Sequence, residues 1–487
     1  MEAVFEEIYA VNGHKEFTSI SEILKIIRDR KIEFLDLKFV DPFGRLQHYT
    51  ITADRADEEL FSVGTGFDGS SIRGFQHIHN SDMLMRPDPS TAFIDPFFDN
   101  RTLSCLCDIV DPVKRKRYTK DPRYIAQKAV EYLQTTGIAD TGYYGPEPEF
   151  FIFDKVRYEQ TYNRAMYEVD SSEAFWNSGK DDANLGYKIG YKQGYYPAAP
   201  FDQLHNLRSK MVEILRNCGV QVDLHHHEVA TAGQTEIGLK VADLVKQADT
   251  LVHYKYIIKN VAHRYGKTVT FMPKPIFMDN GSGMHTHISL WKEGKNIFYE
   301  MGKYADLSDS ARYFIGGLFR HIEAILAFAA PLTNSYRRLV PGYEAPINLV
   351  YSARNRSAAV RIPMYSESEK AKRIEFRCPD PSCNPYLAFA AMLMAGIDGI
   401  ENKIEPPDPI DEDIYELSDE EKKHIRSTPG TLKEVMDGLE RDREFLVKGN
   451  VFTGDLIESY VDYKRKSEID QVALRPHPWE YALYFEV

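Results

Sequence analysis

Four short segments of this chain set charged or histidine side chains two residues apart between apolar neighbours, and a strand is the regular conformation that turns this spacing into one polar face. In GPEPEFFIFD the pair is Glu147 and Glu149, and Pro146 and Pro148 withhold two ladder donors in the same place. In DLHHHEVA the pair is His226 and Glu228. In GMHTHISL, His285, His287 and Ser289 oppose Met284, Thr286, Ile288 and Leu290; in RIEFRC, Arg373, Glu375 and Arg377 oppose Ile374, Phe376 and Cys378. One such segment alone reads as a half-solvated amphipathic strand. Four together predict polar faces converging on a lined cavity or funnel.

Carboxylates so gathered repel: two charges about 5 Å apart at an effective dielectric of about 20 cost roughly 3 kcal/mol, so cations are expected among them. Oxygen donors with single histidines and no thiolate suit hard divalent ions, Mg²⁺ or Mn²⁺, better than structural zinc. Sites with several carboxylates and several metal ions commonly handle phosphate, whose oxygens the ions bridge. The arginines agree with this: Arg338, Arg356, Arg361 and Arg377 fall in or just after a Gly- and Pro-punctuated stretch, and a guanidinium grips carboxylate or phosphate through a rigid fork.

Two other patterns carry less. Gly64, Gly66 and Gly69 spell G-x-G-x-x-G with Asp88 about twenty residues on, but no helical periodicity follows, so a dinucleotide fold is not expected. His225, His226 and His227 alternate faces on a strand and cannot all reach one ion. A Walker-type phosphate loop is missing from the sequence.

The 487 residues suffice for about three domains, or for a large one with a smaller companion. With 43% hydrophobic and 27% charged residues the composition is that of a soluble globular protein. Sixty Lys and Arg against 73 Asp and Glu give a net charge of −13, which disfavours a nucleic-acid partner. The five cysteines (105, 107, 218, 378 and 383) form neither a C-x-x-C pair nor an even framework, which fits a reducing, cytoplasmic setting. The acidic first residues do not read as a signal peptide, and the longest apolar run, Tyr386 to Ile397, is too short to span a bilayer, so no membrane association is expected.

The first hundred or so residues read as a small α+β unit, with a helix near Ser21 to Arg30 and strands in IEFLDLKFVD and GRLQHYTIT. Asp121 and Pro122 predict a helix start and Gly137 its end, placing a domain junction near residue 116. Longer helices are expected over Leu204 to Asn217, Lys240 to Tyr265, Ala311 to Ala330, Pro385 to Asn402 and Thr431 to Val447. The Pro-rich acidic stretch from Glu405 to Glu421 is expected to be an exposed loop.

The segments FDGSSIRGF, GPEPEFFIFD, HHHEVATAGQTE, DNGSGMHTHISL, NSYRRLVPGYEAP, ARNRSAAVRIP and RIEFRCPDPSCNPYLAFAAML, together with the final HPWEYALYFEV, resemble type I glutamine synthetase, in family order over nearly the whole chain. That family joins ammonium to glutamate with ATP through γ-glutamyl phosphate. The resemblance implies an α+β fold: residues 1–116 a small β-grasp-like domain serving the neighbouring subunit's site, and residues 117–487 a catalytic domain with a curved antiparallel sheet funnel flanked by helices. It implies one metal site at Glu149, Glu228 and Glu236 and a second at Glu147, His285 and Glu375. Asn280, Gly281 and Arg338 would hold the amino acid end of glutamate, and Arg377 its reacting carboxylate. Asp223, His226, His287, Ser289, Arg356, Arg361 and Lys370 would serve ATP, Arg356 also acting in catalysis; Asp68 and Glu344 would form the ammonium site, with Glu344 closing a flap that contains Gly342. The family assembles as a dodecamer of two stacked hexamers. Tyr415 lies in a segment resembling one that carries a regulatory adenylylated Tyr in one branch. Two departures stand out: His77 where the glutamine-inhibited branch has Arg, and Val241 where relatives often place an aromatic near the adenine.

Two rival readings keep the fold. A ligase for larger amines is disfavoured by Asp68 and Glu344, since a bulky amine needs a wider, less anionic pocket. A non-catalytic relative is disfavoured because every expected metal and substrate position is filled.

Overall fold

The computed structural model describes residues 19–75, 81–181, 184–341, 345–355, 357–365, 368–412, 414, 420, 423 and 425–487. His77, Gly342, Glu344, Arg356 and Tyr415 lie outside the described residues.

The helix Ile20–Asp29 starts where the Ser19 hydroxyl accepts the Glu22 N–H, and it buries Ile23 and Ile27. Seven strands follow: β1 (Phe34–Val40), β2 (Leu46–Thr52), β3 (Thr65–Asp68), β4 (Asp82–Pro87), β5 (Phe93–Asp95), β6 (Thr102–Asp111) and β7 (Lys116–Arg117). Their order is β2-β1-β6-β4-β3, with β5 and β7 also paired to β6. β1 runs parallel to β6, and Leu35, Leu37, Met85, Leu103, Cys105 and Ile109 fill the core beneath.

The larger sheet is built on β8 (Thr141–Phe153), which leads into a two-stranded hairpin of β9 (Lys155–Gln160) and β10 (Ala165–Asp170). The remaining strands are β11 (Val222–His227), β12 (Gln234–Leu239), β13 (Ala242–Asp243), β14 (Thr268–Thr270), β15 (Met284–Lys292), β16 (Lys295–Asn296), β17 (Asn348–Ser352), β18 (Ala358–Arg361) and β19 (Ile374–Phe376). The order is β11-β12-β8-β15-β19-β18-β17, antiparallel except for the parallel pair β17–β18. On the edge of β8 away from β15, β13 pairs at Tyr143 and Tyr144, and β12 joins only from Glu149 onward. Pro146 and Pro148 fall in the gap between those two partners, where a missing N–H costs no ladder bond. The mixed α+β architecture is the one expected.

Helices cover the apolar side of this sheet. Pro122–Thr136 is capped by the Asp121 carboxylate and ends at Gly137 with φ +69°, as its sequence predicts. His205–Asn217, Leu244–Arg264 and Pro385–Glu401 also match their patterns to within a few residues, although Ala242 and Asp243 join the sheet as β13 instead of the helix. Two expected helices are broken. Ala311 to Ala330 divides into Asp309–Arg320 and Ile322–Ala329 at His321, and Thr431 to Val447 divides into Leu432–Arg441 and Glu444–Val447 with a break at Asp442. The two breaks meet: His321 Nδ1 lies 2.7 Å from the Asp442 carboxylate, Nε2 lies 3.0 Å from Asp398, and the ring stacks on Phe445. A buried imidazole needing a partner on each nitrogen explains both interruptions, which hydrophobic periodicity does not register.

The acidic stretch is, in its described residues, an irregular and largely exposed loop, as expected, but it is anchored. Ile414 is buried against Val350 and Ala358, and the Ile410 N–H donates to the Tyr351 carbonyl, so the described part of this stretch is pinned to the sheet edge. Contacts between the N-terminal sheet and the helical layer are both apolar, with Val40, Phe93 and Leu106 buried in the core of the larger domain and Phe93 edge-on to His253, and polar. Arg123 donates to Asp88, Asp108 and Asp249, Tyr256 Oη donates to Asp95, and Asn384 Nδ2 to the Asp41 carbonyl.

Candidate active site

Register converts the sequence spacing into rows across the sheet. His226 of β11 faces Glu236 of β12, and Glu236 faces Glu149 of β8. Two residues along, Glu147 faces His285 of β15, with Arg377 just beyond the end of β19. In the next row Gly145 faces His287, His287 faces Glu375, and Glu375 faces Arg361 of β18. Even spacing on each strand holds all these polar groups on one face. Glu228 lies one residue past the end of β11, not within a strand, and its backbone N–H is tied to the Gln234 carbonyl.

Two sets of ligand atoms gather within 4.8 Å: Glu147, His285 and Glu375 in one, and His226, Glu228 and Glu236 in the other. The first set is the one expected. In the second, His226, expected on the nucleotide, takes a place beside Glu236 at 3.5 Å and Glu228 at 3.7 Å. Glu149, expected there, is held from one side: its Oε2 accepts from the Gly283 N–H at 3.0 Å and from Gln234 Nε2 at 3.1 Å.

Electrostatics divide the carboxylates into two classes. Burial, then the charges of Glu228 and Glu236, push Glu149 well above the usual carboxylate range; burial, then Glu147 and Glu228, do the same to Glu236. Burial also opposes ionisation of Glu147, but bonds to His285 and His287 hold it well below that range. Glu375 is brought down to about 2 because Arg377, His285 and His287 outweigh its burial. His285 falls to about 4 through burial and the Arg377 charge, leaving a neutral imidazole with a lone pair to offer. The fit to hard divalent cations therefore rests on chemistry seen here: oxygen-rich donor sets with one imidazole each, bordered by two acids, Glu236 within the second set and Glu149 beside it, that resist ionisation unless a positive charge joins them.

Cationic side chains border the acids. Glu375 accepts from Arg361 Nη1 at 2.9 Å on one oxygen and from Arg377 Nη1 on the other. The Nε atoms of both arginines are buried donors with no acceptor among the described residues. Arg338 is buried, and its Nη atoms donate to the carbonyls of Arg377, Cys378 and Pro379. Asn280 and Gly281 lie beside it: a Cβ on Gly281 would stand 2.5 Å from the Pro273 carbonyl oxygen, so the loop closes only with glycine there.

Other predicted residues lie beyond these rows, Ser289 on the same face of β15 one row on, opposite Tyr143. Asp223 is exposed and its ion pair is with Lys240, the Ser289 hydroxyl accepts from Trp291 Nε1, and Lys370 is exposed in the turn Glu369–Ala371. Val241 is exposed. Asp68 sits on the N-terminal domain, exposed, with its carboxylate bonded to Ser70 and Ser71, which hold it below the usual range.

Four contributors carry no assigned role in the sequence reading. Arg373 Nε donates to His287 Nδ1 at 3.1 Å, which leaves His287 Nε2 as the donor to Glu147. Arg373 shares parity with Glu375, the face on which its sequence places it. Tyr195 and Tyr196 stack on each other and stand edge-on to His226; they come from a loop, where parity says nothing. Gln234 shares parity with Glu236 and bonds Glu149.

Comparison with known proteins follows the same lines. A family model described as the β-grasp domain of glutamine synthetase matches residues 31–112, and one described as the glutamine synthetase catalytic domain matches residues 119–484. The chain is 57% identical to a glutamine synthetase of Frankia alni over 97% of this chain and 100% of that one. It is 56% identical to a glutamine synthetase of Aquifex aeolicus over 96% and 98%. A solved structure of Plasmodium falciparum glutamine synthetase superposes with a TM-score of 0.88 at 31% identity, covering 96% of this chain and 99% of that one.

Proposed function

The chain belongs to the glutamine synthetase family, and from that premise we propose how its residues share the work of joining ammonium to glutamate. The reaction is ATP-dependent ligation at the γ-carboxylate of L-glutamate, giving L-glutamine, ADP and phosphate. The observation that carries the assignment of roles is the convergence of two carboxylate–histidine sets and their flanking arginines on one sheet face.

In this reading Glu149, Glu228 and Glu236 hold one divalent cation, with His226 close by, and Glu147, His285 and Glu375 hold a second, Mg²⁺ or Mn²⁺. Ions held there would supply positive charge to neutralise the phosphoryl oxygens. Asn280, Gly281 and Arg338 receive the amino acid end of glutamate and Arg377 its side-chain carboxylate. Asp223, His226, His287, Ser289, Arg356, Arg361 and Lys370 serve the nucleotide, and the unpartnered Nε groups of Arg361 and Arg377 are ready donors for anionic oxygens.

In the first step a γ-carboxylate oxygen attacks the terminal phosphorus of ATP, and the bond from that phosphorus to ADP breaks. Ammonium then loses a proton to Asp68 or Glu344, its nitrogen attacks the acyl carbon, and the adduct passes a second proton to the departing phosphate as the carbon–oxygen bond to it breaks, leaving the amide. Closure of the segment around Gly342 and Glu344 would keep water from the acyl phosphate.

Residues 1–116 act as one domain and 117–487 as the other. Asp68 of one subunit completes the site of its neighbour in a dodecamer of two stacked hexamers, working in the cytoplasm. The exposed C-terminal side chains Leu474, Trp479, Leu483, Phe485 and Val487 support assembly, since a surface so apolar favours burial against another subunit. Tyr415 is a candidate for adenylylation, tested by the mass of its peptide from nitrogen-rich cells. The test of the activity is phosphate release from ATP and glutamate. It should require ammonium and respond weakly to larger amines; equal release with a panel of amines would overturn the ammonium assignment.

A further inference from the structure

Gln234 opens β12 and is 1% exposed. Its side-chain oxygen accepts the Ala230 N–H at 2.8 Å. Its nitrogen faces the Gly281 carbonyl at 2.9 Å, Glu149 Oε2 at 3.1 Å and the Ser282 hydroxyl at 3.4 Å. Its own backbone carbonyl accepts from the Glu228 N–H at 2.8 Å. One residue thus joins the turn after Glu228, the acid Glu149 and the loop bearing Asn280 and Gly281.

The amide has only one workable orientation. A backbone N–H stands at one end, so that end must accept; a carboxylate and a carbonyl stand at the other, so that end must donate. A carboxylate in the same place would set negative oxygen against Glu149 and Gly281, and an apolar side chain would leave buried polar groups without partners. With Oε2 of Glu149 fixed by Gln234 and Gly283, its other oxygen is the one left to face Glu228 and Glu236.

We propose that Gln234 is a positioning residue that locks the Glu149 carboxylate and the Asn280–Gly281 loop into one arrangement, so that metal affinity and glutamate affinity depend on the same amide. The inference rests on the reading of Glu149 as a metal ligand and of Asn280–Gly281 as the glutamate loop. Outer partners of metal ligands commonly change metal affinity 10- to 100-fold when removed.

The test uses full-length Gln234→Glu, with Gln234→Met as a variant of similar volume that adds no charge, and Glu149→Gln as comparator. Mn²⁺ alone is titrated by electron paramagnetic resonance, and KM values for glutamate and ATP are measured separately. Both Gln234 variants should bind Mn²⁺ at least about 10-fold more weakly and raise the KM for glutamate by a similar factor, with the KM for ATP within about twofold of wild type. Unchanged Mn²⁺ binding and glutamate KM in a folded Gln234 variant would overturn the proposal. Failure of both variants to fold would also overturn it, because Gln234 would then be a structural residue. Normal Mn²⁺ binding by Glu149→Gln would instead refute the ligand reading on which the proposal stands.

Discussion

Glu236 offers a perturbation that should move stability and metal binding in opposite directions. Its ligand oxygen lies within 4.8 Å of those of Glu228 and His226, and all three side chains are largely buried. Two full charges at that separation and an effective dielectric of about 20 repel by roughly 3 kcal/mol, an upper bound because the metal-free protein also escapes by taking up a proton. Replacing one acid by its amide, Glu236→Gln, should therefore stabilise the metal-free protein by about 1–2 kcal/mol. The gain should grow with pH. An acid whose folded-state value is raised binds more protons folded than unfolded, so its contribution to stability falls as pH rises from the unfolded value through the folded one. Metal reverses the order: a cation present at a hundred times its dissociation constant stabilises the wild type by about 2.7 kcal/mol, and the variant should lose most of that. The assay is urea denaturation in EDTA and then in Mg²⁺ or Mn²⁺. A variant less stable than wild type in EDTA would show that the acids are not in repulsion. A variant with an undiminished metal-induced gain would show that Glu236 is not a ligand.

Three further outcomes are expected. A Cβ on Gly317 would lie 2.0 Å from the Ala395 carbonyl oxygen, where the helices Asp309–Arg320 and Pro385–Glu401 cross, so Gly317→Ala should cost at least about 2–3 kcal/mol in chemical denaturation; an unchanged midpoint would contradict that packing. Burial opposes protonation of His321, but Asp398 and Asp442 outweigh it and raise its value above 6.5. Its stabilising contribution should be complete below that value and lost as pH climbs through the raised one, so the stability gap between wild type and His321→Asn should shrink from pH 6 to pH 9; a constant gap would refute the charged pairing. Asp68→Ala and Glu344→Ala should each be nearly inactive, yet subunits dissociated and reassembled together should regain activity at about one site in four; a mixture as inactive as its parents, with normal size, would place both residues in one subunit's site or remove Asp68 from it.

What the sequence determined by itself was whatever depends on local spacing. A period of two on four segments is enough to put Glu147 and Glu149, or His285 and His287, on one face, because a strand admits only two faces. Asp121, Pro122 and Gly137 marked a helix because caps act within a few residues of themselves. The motifs around these positions were specific enough to carry the family. Only the tertiary structure decided which rows meet. Glu147 faces His285 across 138 residues of chain through strand register, which no local pattern encodes. The helix breaks at His321 and Asp442 belong to the same class: each segment alone prefers to continue, and a contact between two distant residues settles the matter. The bonds that fix the Glu149 carboxylate were likewise hidden, because Gln234 and Gly283 reach it from other parts of the chain. Local preferences are fixed by neighbours in sequence, whereas charge balance in a buried site is a sum over neighbours in space, so only the folded chain determines it.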